Sequence, residues 1–287
     1  DLRAVTTGAG HLAGDRTARN SAITLHLSGR SDIPVGAGAL NPLVRERMIA
    51  GALDMASALD PERPDLEAQD LDPRHSAELI AQTVLSADAA TIVTTGPLTN
   101  LAMALHRTPE IAATLERIVM LGGSWGLGNK TAAAEWNILC DPEAAHVVLG
   151  AGVPITMLPI DALGPVGITP DLIKRTHAIG GPVGNFATEL LQSLVTTFNP
   201  GSVMAPKFMP LNDPVASLVA AQPDLAQTQP AHVVVELAGR HTYGRTVVDF
   251  ALRGGAAANV DVVTQLDCDR TLYAFVDALT RLANSDT

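Results

Sequence analysis

ATIVTTGPLTNLAMALHR, residues 90–107, decides the fold. Its opening, ATIVTTG (90–96), carries apolar and β-branched residues on both alternating faces, as a central parallel strand covered from both sides would. A glycine-proline turn follows, and LTNLAMALHR (98–107) then repeats apolar residues at helical spacing. A strand that feeds a helix through a short turn is half of a βαβ unit.

The same unit recurs on either side. RIVMLGG (117–123) and PITMLPI (154–160) read as buried strands, with a helix over PEAAHVVLGAG (142–152) between them, capped by Asp141. Toward the N-terminus, RAVTT (3–7) and IPVGAG (33–38) read as strands around a helix at 14–29. A polar stretch with Pro61, Pro64 and the acidic run from Asp65 to Asp72 reads as a long surface loop. DPRHSAELIAQTVLSA (72–87) reads as a helix capped by Asp72, with Pro73 at its first position. Further helices are expected from Pro170 to Gly180, from Val183 to about Phe198 and from Asp213 to Ala221. AHVVVELAG (231–239) and RTVVDFA (245–251) read as a hairpin, NVDVVTQLD (259–267) as a strand and DRTLYAFVDALTRLA (269–283) as the closing helix. This alternation predicts an α/β fold: a doubly wound, mostly parallel central sheet flanked by helices, with a small β-hairpin extension near the C-terminus. The whole chain, 1–287, is expected to form one domain.

Composition narrows the function. Nineteen Lys and Arg against thirty Asp and Glu give a formal net charge of −11, which repels phosphate backbones and argues against nucleic-acid binding. No apolar run is long enough for a membrane span, and DLRAVTTGAG at the start is not a signal peptide, so a cytoplasmic location is expected. Cys140 and Cys268 stand far apart, without metal-ligand spacing or need of a disulfide. DLRAVTT already reads as the run-in to a buried strand at Asp1, so a preceding segment is expected.

Ligands of such sheets bind beyond the carboxyl ends of the strands. That rule selects Thr6–His11, Thr94–Asn100, Gly122–Asn137 and Asp161. TTGPLTN (94–100) is either an ordinary turn capped by Thr99 or a place where backbone points at a ligand. In GLGNKTAAAEWN (126–137), Gly126 and Gly128 free the backbone and Asn129 offers a donor and an acceptor. Glu135 and Asn137 share a face if the segment is extended, with Trp136 pointing away, an arrangement suited to a vicinal diol and a flat ring. A solvated loop is the bland alternative. In PLNDPVAS (210–217), Asp213 is either a helix cap or a carboxylate for a hard cation. His26, His106, His146 and His177 fall on helices and read as surface or groove residues, whereas His11 follows a strand end.

Together AVTTGAGHLAGDRTARNSA, PVGAG, TTGPLTNLA, IVMLGG, AAEWNILCDPEAA, LNDP and TVVDF resemble the calcium-dependent nucleoside hydrolases of the inosine–uridine preferring type, in the right order and over almost the whole chain. AEWN followed by DPEAA is the specific signal, with Trp136 where the family usually has Phe. The resemblance implies a ribonucleoside substrate, cleaved at its N-glycosidic bond to free base and ribose by metal-activated water, in purine or pyrimidine salvage. It implies that Asn129, Glu135 and Asn137 hold the ribose hydroxyls with Trp136 beside them, while Asp141 and Glu143 only start a helix. It assigns Asp213 and the Thr95 carbonyl to calcium and implies a homodimer or homotetramer.

Several positions depart from the family. Its aspartate cluster, of form DxDxxxDD, belongs before Asp1, so the chain as given is expected neither to bind calcium tightly nor to hydrolyse nucleosides. His11 stands where the family has Asn, and Asn212 where many members have a leaving-group His; these two are the candidate catalytic residues. MIAGALDM (48–55) lacks a His-Gly pair found in many members. The alternative is a non-catalytic member that binds nucleoside or ribose. Glu135→Ala is expected to weaken ribose binding more than it disturbs the fold.

Overall fold

In the computed structural model, residues 1–8, 10, 14–48, 66–197 and 207–285 are described. His11, Pro61, Pro64 and most of the 48–55 stretch therefore lie outside the described residues.

Six strands form the main sheet. β3 (Ala90–Thr94), β4 (Leu115–Leu121), β5 (Ile155–Leu158) and β8 (Val260–Leu266) run parallel in that order. β6 (Ala226–Val235) continues the sheet antiparallel to β8, and β7 (Thr246–Asp249) closes it antiparallel to β6. The expected hairpin exists, with His232 opposite Asp249 and Val235 opposite Thr246. It is no appendage, because the first half of β6, from Ala226 to Ala231, pairs along β8.

The alternation in β4 builds two cores. Ile118 and Met120 face one side, with Leu101 of α3 (Thr99–Arg107) and Val148 of α6 (Pro142–Leu149). Val119 and Leu121 face the other, with Leu163 of α7 (Ile160–Leu163), Leu172 of α8 (Pro170–His177), Leu191 of α9 (Gly181–Thr197), Val215 of α10 (Asn212–Ala221) and Ala274 of α11 (Cys268–Asn284). Each such large side chain contributes about 1.5–3 kcal/mol by leaving water. Helix starts follow local chemistry: Thr169 caps α8 ahead of Pro170, and Asp267 caps α11 by accepting from the Arg270 amide. His26, on α1 (Gly14–Leu27), and His106, His146 and His177 are all exposed. Cys140 and Cys268 are free.

The strand that reads as central is an edge. Among the described residues β3 pairs only with β4; Thr91 is exposed, and Ile92, Val93 and Thr94 are half-buried. Periodicity reports which faces are apolar, not which strand lies alongside. β1 (Val5–Thr7) and β2 (Val35–Ala37) form a separate two-stranded parallel sheet. Its own core is only Ala22, Leu25, Ile33 and Val35, and so short a pair is marginal alone. Buried Ser76 ties it to α2 (Ser76–Leu85) by donating to the carbonyls of Thr7 (2.9 Å) and Gly36 (2.8 Å) and accepting from the Thr7 amide. Asp72 is drawn into the same junction. Its amide donates to Val35 and its carboxylate holds Arg74, so His75, not Asp72, caps α2. Short helices unforeseen in the sequence are α4 (Ile111–Thr114), α5 (Trp136–Cys140) and α7.

Candidate active site

Residues 136–140 are not the extended run that the sequence suggests. They form α5, and Glu135 is its N-cap. The carboxylate accepts from three backbone amides: Asn137 at 2.9 Å, Ile138 at 3.2 Å and Gly123 at 2.9 Å. Glutamate is not a favoured cap residue, so nothing local announced this role. The Gly122–Gly123 turn makes it possible. Gly123 has φ +77°, and a Cβ there would lie 2.5 Å from Met157 Cε. Glu135 is therefore a fold residue besides the ligand-binding role expected of it, which revises the expected outcome of Glu135→Ala. Burial pushes its pKa up, against the pull of those amides.

Asn137 is 8% exposed and commits its Nδ2 twice, to the carbonyls of Thr95 (3.2 Å) and Leu121 (3.1 Å). Its Oδ1 has no partner among the described residues, so it presents an acceptor. Asn129 is the complement. Its Oδ1 accepts from the Trp136 amide at 2.9 Å; a backbone N–H can pair only with the oxygen end, so Nδ2 is left outward as a donor. Trp136 is 6% exposed with the Lys130 ammonium 4.7 Å from its ring centroid, which leaves little ring face for a base.

Asp213 lies in the first turn of α10, which packs along β4 and β3. It is not the cap of that helix: the N-cap is Leu211, without a side-chain bond. Its carboxylate meets solvent, yet protein crowds it on most sides. Poor hydration, aided by the negative charge of Glu135, pushes its pKa up to about 6. Asn137, whose amide donates to Glu135 and whose Nδ2 donates to Thr95, joins that carboxylate to the Thr95 carbonyl. Asn212, beside Asp213, has a buried Oδ1 with no hydrogen-bond partner among the described residues.

Other polar candidates serve the scaffold. Thr99 does not cap α3; its hydroxyl donates to Asp141 at 2.6 Å. Asp141 caps α6 as expected, and is fully buried because it also takes the Leu43 amide at 2.9 Å. Glu143 accepts from the Tyr243 hydroxyl at 2.8 Å, and Asp161 accepts from the amides of Trp125 and Gly126.

A hard cation needs several oxygens. Calcium takes about six to eight, usually with several carboxylates. Among the described residues, no group of three or more His, Cys, Asp and Glu side chains gathers as a metal site. Asp213 and the Thr95 carbonyl, the two donors that the resemblance assigns, are too few for calcium by themselves. No described helix is long and apolar enough to cross a membrane.

Known proteins resemble this chain over nearly its whole length. The chain is 39% identical over 285 residues to the pyrimidine-specific ribonucleoside hydrolase RihA of Shigella flexneri serotype 5b, covering 97% of this chain and 88% of the relative. Among solved structures, a purine-preferring ribonucleoside hydrolase from Gardnerella vaginalis superimposes with a TM-score of 0.88 at 26% identity, covering 99% of this chain and 91% of the other. The plant nucleoside hydrolase PpNRh1 also has a TM-score of 0.88 at 26% identity, over 98% and 91% of the two chains. The family model described as inosine-uridine preferring nucleoside hydrolase matches residues 1–272, and the chain belongs to that family.

Proposed function

We propose that this protein is a ribonucleoside hydrolase whose recognition is centred on the sugar. The observation that carries the reading is the leftover hydrogen-bonding capacity of one corner. Asn137 offers an acceptor and Asn129 a donor, each held at its other end by backbone, and both are bonded to the start of the helix that Glu135 caps. Neighbouring hydroxyls of a ribose both donate and accept, so such a set suits a diol. Fixed in advance, it orients the sugar without ordering cost at binding.

In the reaction, water adds to C1′ as the C1′–N bond breaks, and the bonding electrons leave with the base. The attacking water loses a proton and the departing base gains one. Positive charge develops on the ribosyl centre, and the carboxylates of Glu135 and Asp213 are the groups that would stabilise it. Calcium is the cofactor that the resemblance implies, to activate the water; Asp213 and the Thr95 carbonyl are the described residues that would join its shell. Asn212 cannot protonate a leaving group as an imidazolium does. Bases that leave readily are therefore favoured.

The relatives named above act by name on pyrimidine ribonucleosides in one case and prefer purines in another, which supports the ribose as the shared element. One domain over 1–287, a cytoplasmic setting, a role in base salvage and assembly as a homodimer or homotetramer belong to the same proposal. The test is turnover of nitrophenyl riboside, inosine and uridine by the full-length protein with calcium. Nitrophenyl riboside is expected to be fastest. Equal rates on all three would show that another acid serves the leaving group. No turnover of any, with nucleoside still bound, would favour a non-catalytic binding protein.

A further inference from the structure

Asp161 opens α7 directly after β5, and the hydrolase reading gives it no part. Its two oxygens nevertheless clamp consecutive amides of the loop that leaves β4: Oδ2 takes Trp125 N–H at 2.9 Å and Oδ1 takes Gly126 N–H at 3.0 Å. The approach needs glycine, since a Cβ on Gly126 would lie 2.6 Å from Asp161 Oδ1. One residue earlier, Thr246 Oγ1 accepts from the Ser124 amide and donates to the Ser124 carbonyl at 2.6 Å. Past the clamp the loop closes on itself, with the Gly128 amide donating to the Ala132 carbonyl and the Lys130 amide to the Ala134 carbonyl, each at 3.2 Å. Leu127 is 59% exposed, and the next residue is Gly128. Then comes Asn129, whose outward Nδ2 is the donor described above.

We propose that Asp161 is a positioning residue for sugar recognition: by clamping Trp125 and Gly126 it sets the loop that presents Asn129 to the ligand. The inference rests on the proposed sugar-binding role of Asn129. The clamp joins the end of one central strand to the loop after its neighbour. β4 and β5 are hydrogen-bonded to each other, so the frame behind the loop is rigid. A carboxylate suits this post better than an amide, because both of its oxygens accept, whereas the NH₂ of an asparagine would oppose one of the two N–H groups.

The test uses the full-length protein with Asp161→Asn, Asn129→Ala and their combination. Asp161→Asn is isosteric, and should lower kcat/KM about tenfold, since small misplacement of a binding group costs that much or more. Its melting temperature should stay close to the parent's. In the Asn129→Ala background it should cause no further loss, because the residue through which it acts is gone. Hydrogen exchange of amides 125–130 should quicken in Asp161→Asn. Gly126→Ala, which pushes on the clamp from the other side, should reproduce both effects. Losses that multiply in the double variant, or exchange unchanged from the parent, would overturn the proposal. A parent that cleaves no ribonucleoside would sink the hydrolase reading instead, and exchange would still decide for or against the clamp.

Discussion

Two corners of this molecule use asparagine in opposite ways. Where the small β1–β2 sheet meets α3, Asn100 spends both ends of its amide on backbone: Nδ2 donates to the Thr7 carbonyl at 3.0 Å and Oδ1 accepts from the Ala39 amide at 2.9 Å. The backbone closes tightly around it, and a Cβ on Gly8 would lie 2.7 Å from its Nδ2. In the corner after β4, Asn137 spends only its donors and Asn129 only its acceptor. Asn100 and Asn137 are each 8% exposed and each follows a strand end. Residue type, burial and position are thus equal, and the valence left over separates a stitch from a site.

Glu135 combines both uses, so changing it should have the largest effect. Glu135→Ala leaves three backbone N–H groups without their acceptor. A buried donor left unpaired costs about 1–3 kcal/mol, and water entering the hole recovers part of that. A loss of about 3 kcal/mol of stability by urea unfolding is expected, together with at least a hundredfold drop in kcat/KM. A variant as stable as the parent would show that the carboxylate is not the cap that organises α5.

This double role also marks how far the sequence could be read. The strand–helix alternation, the Asp141 cap and the placement of Glu135, Asn137 and Asn129 after a strand follow from local pattern, and Asp213 from its Asn-Asp-Pro helix start and the family resemblance. The rest is long-range. Nothing local ties Gly123 to Glu135, Ser76 to Thr7, or Asp161 to Trp125, because each pairing depends on which strands lie side by side. Two apolar faces on 90–96 suggested a central strand, yet β3 is a half-buried edge. Asp72 before Pro73 had the form of a helix cap, but β2 and Arg74 claimed it. A polar residue at a strand end can thus be found from sequence, while its spare valence needs the folded partners.

The two asparagines provide the direct contrast. Asn100→Ala leaves the Thr7 carbonyl and the Ala39 amide unpaired, and should cost about 2 kcal/mol of stability. kcat/KM of the folded fraction should stay within about twofold, because the lost bonds hold the scaffold. Asn137→Ala should cost a similar amount of stability. It should also lower kcat/KM about tenfold or more, the worth of a hydrogen bond of about 1.5 kcal/mol. Measuring both constants for both variants breaks the comparison if Asn100→Ala impairs turnover as strongly as Asn137→Ala.

The smallest effect concerns Asp213, which has no stitching bond among the described residues and should behave as a pure site residue. Its pKa of about 6 in the folded protein stands above the ordinary 3.8. Between those values the folded state holds the proton more tightly than the unfolded chain does. Stability from this group is therefore greatest below about pH 4, falls as pH rises toward 6, and carries its full penalty above that. Asp213→Asn removes the titration. In metal-free buffer the variant should be slightly more stable than the parent at pH 7, and the advantage should vanish near pH 4. Solvent reaches this carboxylate, which limits the size of the effect but not its sign. Urea unfolding of both proteins between pH 4 and 7.5 checks this. An asparagine variant less stable than the parent at pH 7 would mean that the Asp213 carboxylate has a favourable partner in the fold. Its place would then be with Asn100 among the stitches, and the carboxylate would not be free for a ligand.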